Sequence, residues 1–421
     1  MRRVAVTGMG VMAPNGIGVK AFAESLWNGR NGVSPISGFD ASGFGSRIAG
    51  QLPEVVLPLP PAEDPEGGED RVVRIALATA TEAVTNAGLY AESLPDPTRM
   101  GVSLANAIGG TKFMTEHFPD ITQEGLAPID VASAHPRLHR AATFDIASSV
   151  IADTFGLMGP VTTLTTGCTG GNDAVGSALD TIRRGDADVM IAGAAEAPIT
   201  PFVLACFDVI GALSVRNDDP AHASRPFDSD RDGFVLAEGA GLVVLEEWEH
   251  ARRRGAPILA EVSGFGSTSN AFHMTDLPDD GTSLGHSLRL ALQDAAVDPS
   301  EVGYVNAHGS STPQNDVCET SAIRTILGAH ADQAPVSSIK SMLGHALAAA
   351  NAVELVASVL ALQEQVLPPT INHVRPGPGC DLDYVANHAR EVCDLRHVAS
   401  LSSGFGGIHS TLVISREGTR K

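Results

Sequence analysis

Short β-branched apolar runs alternate with Ala-rich stretches along the whole chain, and this alternation most constrains the fold. Strands are expected at Val4 to Thr7, Val102 to Leu104, Val189 to Ala192, Leu242 to Leu245, Tyr304 to Ala307 and Thr411 to Ile414, with helical patterns between them. Strands separated by helices pack as alternating layers, the α/β class. A faint internal repeat accompanies the pattern. Glu82-Ala83-Val84-Thr85-Asn86-Ala87-Gly88-Leu89, followed by Met100-Gly101-Val102-Ser103, parallels Leu290 to Val297 followed by Val302-Gly303-Tyr304-Val305. Gene duplication and shared composition both account for it.

At 421 residues the chain can bury a large core, and length alone suggests two or three domains. A hydrophobic content of 43% and a mean hydropathy of +0.07 fit a well-packed soluble protein. Five cysteines, at 168, 206, 318, 380 and 393, form no CxxC pair, and an odd count suits a reducing, cytoplasmic setting. Met1-Arg2-Arg3 mimics the start of a signal peptide. The apolar run behind it is short and broken by Thr7, Gly8 and Gly10, so a buried N-terminal strand is expected. Leu343 to Leu362 is long enough to span a bilayer but contains His345, Asn351 and Glu354, so a buried helix and no membrane contact are expected. A net charge of -21 argues against nucleic acid, whose phosphates need clustered cations.

Three sites stand out chemically. Cys168 lies in Thr165-Thr166-Gly167-Cys168-Thr169-Gly170-Gly171, between a strand end and an amphipathic helix. The unpaired N–H groups of a helix start favour thiolate, so a lowered pKa is expected; the alternative for a lone cysteine is simple packing. His308 lies in Asn306-Ala307-His308-Gly309-Ser310-Ser311-Thr312-Pro313, and His345 in Lys340-Ser341-Met342-Leu343-Gly344-His345-Ala346. Each follows a strand, Tyr304 and Val305 in the first case and Val336 to Ile339 in the second, where α/β proteins place catalysis. Ser402-Ser403-Gly404-Phe405-Gly406-Gly407 can bring a backbone N–H near a substrate carbonyl.

Together these segments resemble the β-ketoacyl synthases, the condensing enzymes of fatty acid and polyketide synthesis, over nearly the whole chain. Further blocks carry the resemblance: Gly185-Asp186-Ala187-Asp188 to Gly193, Ser224-Arg225-Pro226-Phe227-Asp228, Arg231-Asp232-Gly233-Phe234-Val235, Glu238-Gly239-Ala240 and Phe272-His273-Met274-Thr275. Pro198-Ile199-Thr200-Pro201 through Ala205-Cys206-Phe207-Asp208, then Arg216-Asn217-Asp218-Asp219-Pro220, looks most like the ketosynthase alpha subunit of bacterial type II polyketide synthases. The resemblance implies a thiolase-like five-layered αβαβα fold made of two similar halves, 1–255 and 256–421. Ala251-Arg252-Arg253-Arg254-Gly255 marks the join as a basic, Gly-ended helix terminus.

The resemblance also implies roles. Cys168 would carry the acyl chain, with its own N–H and that of Phe405 forming the oxyanion hole and Phe405 acting as a gate. His308 and His345 would stabilise the enolate formed from malonyl-ACP, without metal or cofactor. Lys340 would pair with Glu354, because a buried lysine without a partner is expensive. Thr275, Ser310 and Thr312 would hold the phosphopantetheine arm of an acyl carrier protein, and Ile108 and Phe207 would face the acyl tunnel or a dimer interface. Asp316 and Glu319 look structural. A chain-length factor would be the heterodimer partner.

Carrier proteins are acidic, and this chain has Glu63-Asp64-Pro65-Glu66-Gly67-Gly68-Glu69-Asp70, expected to form a solvated acidic loop, where related enzymes often carry basic residues, leaving Arg71 and Arg74. Rival readings are a homodimeric fatty-acid ketosynthase II, a non-catalytic partner subunit, which would lack Cys168, a thiolase, which would carry a second cysteine in the Gly-rich loop, and a cysteine hydrolase using Cys168, His308 and Asn315. Thr169-Gly170-Gly171 departs from the Thr-Ser-Gly of many aromatic-type subunits.

Overall fold

The computed structural model describes residues 1–53, 70–89 and 96–419. The ten strands of its main sheet path, in chain order, are β1 (Val4–Ala13), β2 (Met100–Ala105), β3 (Val161–Leu164), β4 (Val189–Glu196), β5 (Gly239–Glu247), β6 (Ala260–Ser269), β7 (Tyr304–Asn306), β8 (Val336–Ser337), β9 (His397–Gly404) and β10 (Ile408–Ser415). Five helices frame the sheet: α1 (Arg71–Asn86), α2 (Gly170–Arg184), α3 (Thr282–Ala295), α4 (Pro313–Leu327) and α5 (Ala348–Glu364).

The strands run in the order β8-β7-β9-β10-β6-β1-β5-β4-β2-β3. From β3 inward the pairings are parallel, parallel, antiparallel and antiparallel, ending at β1. From β8 inward the same sequence is repeated, ending at β6. The two runs meet where Ala5 pairs with Glu261 and Val6 with Ala260. Helices α2 and α5 pack on each other between the two runs, while α1 covers one outer face and α3, backed by α4, the other. This is the five-layered α/β architecture. The faint repeat corresponds to α1 before β2 and α3 before β7.

Local sequence explains the elements. β1 is buried along its whole length, as a nearly continuous apolar run in an inner strand should be. The glycines that interrupt it allow α1 to lie directly on its backbone: a Cβ at Gly8 would sit 2.2 Å from the Ala83 carbonyl oxygen, and one at Gly10 2.1 Å from that of Thr79. Helix α5 is buried from Ala348 to Leu362, as expected for the long apolar stretch. Among the described residues no helix is long and apolar enough to cross a membrane. Gly255, at φ 71°, ends the basic helix Trp248–Arg254 in the left-handed region that glycine favours.

Two expectations need correction. The strand expected over Val336 to Ile339 stops at Ser337, and Lys340–Leu343 forms a single helical turn that carries Lys340 into the interior. Asp70 is a buried cap, not part of an exposed acidic surface: its carboxylate accepts the N–H of Val72 at 2.9 Å and of Phe113 at 2.8 Å. Arg71 turns inward to Glu238 at 2.8 Å. The rest of the acidic stretch, 63–69, lies outside the described residues.

Because α1 touches the β1 backbone, Gly10→Ala should lower thermal stability by about 1–3 kcal/mol. Gly38→Ala, where a Cβ meets nothing within 4 Å, should leave the melting temperature unchanged.

Candidate active site

The segments carrying Cys168, His308, Lys340 with His345, and Phe405 lie at the carboxyl ends of strands that have a parallel neighbour, where open α/β sheets bind ligands. Cys168 follows β3, His308 follows β7, Lys340 and His345 follow β8, and Phe405 follows β9. Cys168, His308, His345 and Phe405 line one cavity of about 350 Å³.

Cys168 sits in a 3-10 turn, Gly167–Thr169, that runs directly into α2, with Gly167 at φ 63°. The thiol is half-buried, and the backbone N–H groups of Phe405 and Cys168 itself point at the sulfur. Burial nevertheless pushes the thiol up to about 11; Lys340 opposes that shift and Glu196 adds to it. The sequence-based expectation of a lowered pKa therefore does not hold, because loss of hydration outweighs the helix start.

His308 and His345 are buried, with ring centroids 5.1 Å apart and planes at 81°. Burial, reinforced by the Lys340 charge, holds both well below the usual histidine range, so both rings are neutral at pH 7. The backbone fixes their loops. Glu319 accepts the N–H of His308 at 2.6 Å and of Gly309 at 2.7 Å, and His345 exchanges backbone bonds with Val235 and Ala237 at 2.7 and 3.0 Å. The His345 ring packs edge-on against Phe234 at 5.3 Å, and its Nδ1 is buried with no partner among the described residues.

Lys340 lies behind the histidines, 2% exposed, with Nζ 2.5 Å from Glu354 Oε1 and 2.6 Å from the His308 carbonyl oxygen. Its Nζ stands 3.5 Å from His308 Nδ1. Burial raises the Glu354 carboxyl to about 7 against the opposing pull of Lys340.

The remaining predicted residues are distributed as follows. Thr275, Ser310 and Thr312 line the cavity. Ser310 and Thr312 share a hydroxyl contact of 2.9 Å, and Thr312 also caps α4. Phe405 is 41% exposed at the mouth, 6.4 Å ring to ring from Phe207, and the glycines after it adopt φ 82° and 73°. Phe207 lines the cavity; Ile108 does not, but packs in the apolar cluster that contains Cys168 and Phe207. Asp316 accepts the Phe227 N–H at 2.7 Å and faces Arg231, away from the cavity lining. Among the described residues no cluster of three or more His, Cys, Asp or Glu could hold a metal ion.

Three polar residues escaped the sequence reading. Glu196 ends β4 fully buried, accepts the Ala107 N–H, and is pushed by burial to about 8. Asn351 and Ser402 both donate to the Cys168 carbonyl. The signal for Asn351 was present: it is polar within an apolar stretch and three residues before Glu354, on the same helix face.

This arrangement offers a thiol at a helix start, two backbone N–H groups beside it, and two uncharged imidazoles across one cavity. Residues 1–251 match the family "Beta-ketoacyl synthase, N-terminal domain", and residues 259–374 match "Beta-ketoacyl synthase, C-terminal domain". The tetracenomycin polyketide synthase ketoacyl synthase alpha subunit of Streptomyces glaucescens is 45% identical over 418 residues, covering 99% of this chain and 97% of the relative. Among solved structures, a type II polyketide synthase acyl carrier protein in complex with its hexaketide-bound ketosynthase, AntDE:AntF, matches with a TM-score of 0.92 and 42% identity over 99% of each chain. The ishigamide ketosynthase/chain length factor matches with a TM-score of 0.90 and 35% identity, covering 99% of this chain and 100% of that one. With both family domains matched in order and the thiol and imidazoles gathered at one cavity, the chain belongs to the β-ketoacyl synthases, the condensing acyltransferases of the thiolase fold.

Proposed function

We propose that this chain is the ketosynthase alpha subunit of a type II polyketide synthase, condensing malonyl-ACP with a chain held on Cys168. The observation that carries the reading is the convergence of Cys168, His308 and His345 on one cavity. The Cys168 sulfur attacks the thioester of an acyl carrier protein; the C–S bond to phosphopantetheine breaks, and the departing thiol takes the cysteine proton. The N–H groups of Cys168 and Phe405 stabilise the tetrahedral oxyanion. Malonyl carrier protein then enters, its C–C bond to the carboxylate breaks, carbon dioxide leaves, and the electron pair forms an enolate. Neutral His308 and His345 donate hydrogen bonds to the enolate oxygen. The enolate carbon attacks the acyl carbon, and Cys168 leaves as thiolate.

Lys340 acts from behind. Held by Glu354 and donating to the His308 carbonyl, it adds to the burial that keeps both imidazoles neutral and opposes the dehydration of the Cys168 thiolate. Thr275, Ser310 and Thr312 offer hydroxyls along the cavity to the amide-rich phosphopantetheine arm, Phe405 gates the sulfur between flexible glycines, and Ile108 and Phe207 shape the acyl end. The substrates arrive covalently on the carrier protein, so no separate cofactor takes part. We read residues 1–255 and 256–421 as the two halves of the fold, the first bringing Cys168 and the second both histidines.

The partner is a chain-length factor. Among the described residues the sheet ends in the edge strand β3, with Val161 exposed, and Phe118, Leu126, Ile129, Val131, Phe144 and Met158 are exposed in the surrounding segments. An open edge with apolar residues nearby suits a homologous second chain. The cytoplasm, where carrier proteins and malonyl thioesters are made, is the setting for this reaction.

Substitutions separate the two half-reactions. In the complex with its partner, Cys168→Ala should abolish chain extension yet keep malonyl decarboxylation, whereas His308→Ala or His345→Ala should keep acylation of Cys168 and slow decarboxylation by roughly 10²–10⁴-fold. Extension by Cys168→Ala would overturn the assignment. With the folded thiol raised to about 11, the thiolate fraction grows as pH rises toward that value, so Cys168 alkylation by iodoacetamide should still be accelerating above pH 9. Lys340→Met should shift that profile further up. Native mass spectrometry after co-expression with the neighbouring genes should return a heterodimer; a homodimer would favour the fatty-acid type.

A further inference from the structure

The proposed chemistry does not use Asn351, yet this side chain, fully buried on α5, is bonded directly to the nucleophile turn. Its Nδ2 donates to the carbonyl oxygen of Cys168 and, at 2.7 Å, to Ser402 Oγ. Its Oδ1 accepts the N–H of Asn172 at 3.0 Å. Ser402 closes the triangle by donating to the Cys168 carbonyl at 2.9 Å.

The two backbone groups that Asn351 grips are the C=O of one residue and the N–H of the residue four later, the pair that an α-helix joins directly. A carboxamide matches both, with one donor and one acceptor on a single planar group. A side chain inserted at such a pair is a recognised cause of local helix distortion. Here the turn at Cys168 is of the 3-10 kind, and regular helix begins at Gly170. The glycines after the nucleophile fit the same arrangement. A Cβ at Gly171 would lie 2.3 Å from Asn351 Oδ1, and one at Gly170 2.9 Å from the Cβ atoms of Ala105 and Ala348. Glycine at 171 is thus what admits the carboxamide.

We infer that Asn351 is a positioning residue for the nucleophile: its carboxamide, spliced into the first turn of α2, fixes the direction of the Cys168 thiol. One turn further along the same face of α5, Glu354 holds Lys340, which holds the His308 loop. A single helix therefore positions the thiol through Asn351 and the enolate-binding imidazole through Glu354. The inference rests on Cys168 as nucleophile.

The test separates the two. Asn351→Ala should slow both acylation and iodoacetamide alkylation of Cys168 by roughly ten- to a hundred-fold, the cost of a misplaced reacting atom. Malonyl decarboxylation, which depends on the histidines, should stay within about twofold of wild type. Alkylation reads the turn even if wild type fails to acylate, which would sink the nucleophile assignment alone. Asn351→Asp supplies a second reading. Its carboxylate lacks the donor for the Cys168 carbonyl, and protonation restores it, so the alkylation rate relative to wild type should rise as pH falls. The charged and titratable groups facing the turn, Cys168, Asp173, Glu196, His308, Lys340, Glu354 and His409, are the same in wild type, which is measured beside the variant at each pH. Wild-type alkylation by Asn351→Ala, or parallel loss of acylation and decarboxylation, would overturn the inference. Should the alanine variant not fold, a pH-independent ratio for Asn351→Asp does the same.

Discussion

The site depends on one cation placed where water cannot reach it. Lys340 is 2% exposed, and removing an ammonium group from water is tolerable only when a counter-charge and hydrogen-bond acceptors replace the lost hydration. Glu354 and the His308 carbonyl supply them. The charge then acts on Cys168, His308 and His345. It helps to keep both imidazoles uncharged, so that they donate hydrogen bonds without a permanent charge, and it partly offsets the dehydration that disfavours the Cys168 thiolate. Replacing the lysine by a neutral side chain would therefore disturb the thiol and the imidazoles together and leave Glu354 buried without its partner.

Such a placement requires a scaffold with an interior large enough to exclude water on all sides of the pair. The layered architecture provides it, because α5 is sandwiched between the two strand runs and is buried from Ala348 to Leu362. The same burial explains why Glu196, Glu319 and Glu354 all lie above the usual carboxylate range. Each satisfies buried backbone or side-chain donors around the site. Glu319 fixes the His308 loop, Glu196 the loop after β2, and Glu354 the lysine.

Much of this was legible in the sequence because it depends on local pattern. The strands at Val4, Val189 and Leu242 announce themselves by β-branched runs, and Gly8 and Gly10, which interrupt the first of them, mark where α1 touches the sheet. Non-local effects were not legible. Cys168 looks acidic from its helix start alone, and only the packed structure reveals that dehydration dominates. The strand at Val336 ends early because Lys340 must turn inward, a demand set by Glu354 on another element. Asn172, Asn351 and Ser402 are far apart in the chain, so their shared grip on the nucleophile turn emerges only when α2, α5 and β9 pack together.

The central claim is that Cys168 carries the growing chain between two carrier proteins. Rapid-quench peptide mass spectrometry of the wild-type complex, first with acyl carrier thioester and then with malonyl carrier protein, tests it most directly. The account predicts an acyl adduct on the Cys168 peptide after the first addition and its loss, in step with β-ketoacyl carrier formation, after the second. An adduct on another residue, or product formed while the Cys168 peptide stays unmodified throughout, would contradict it.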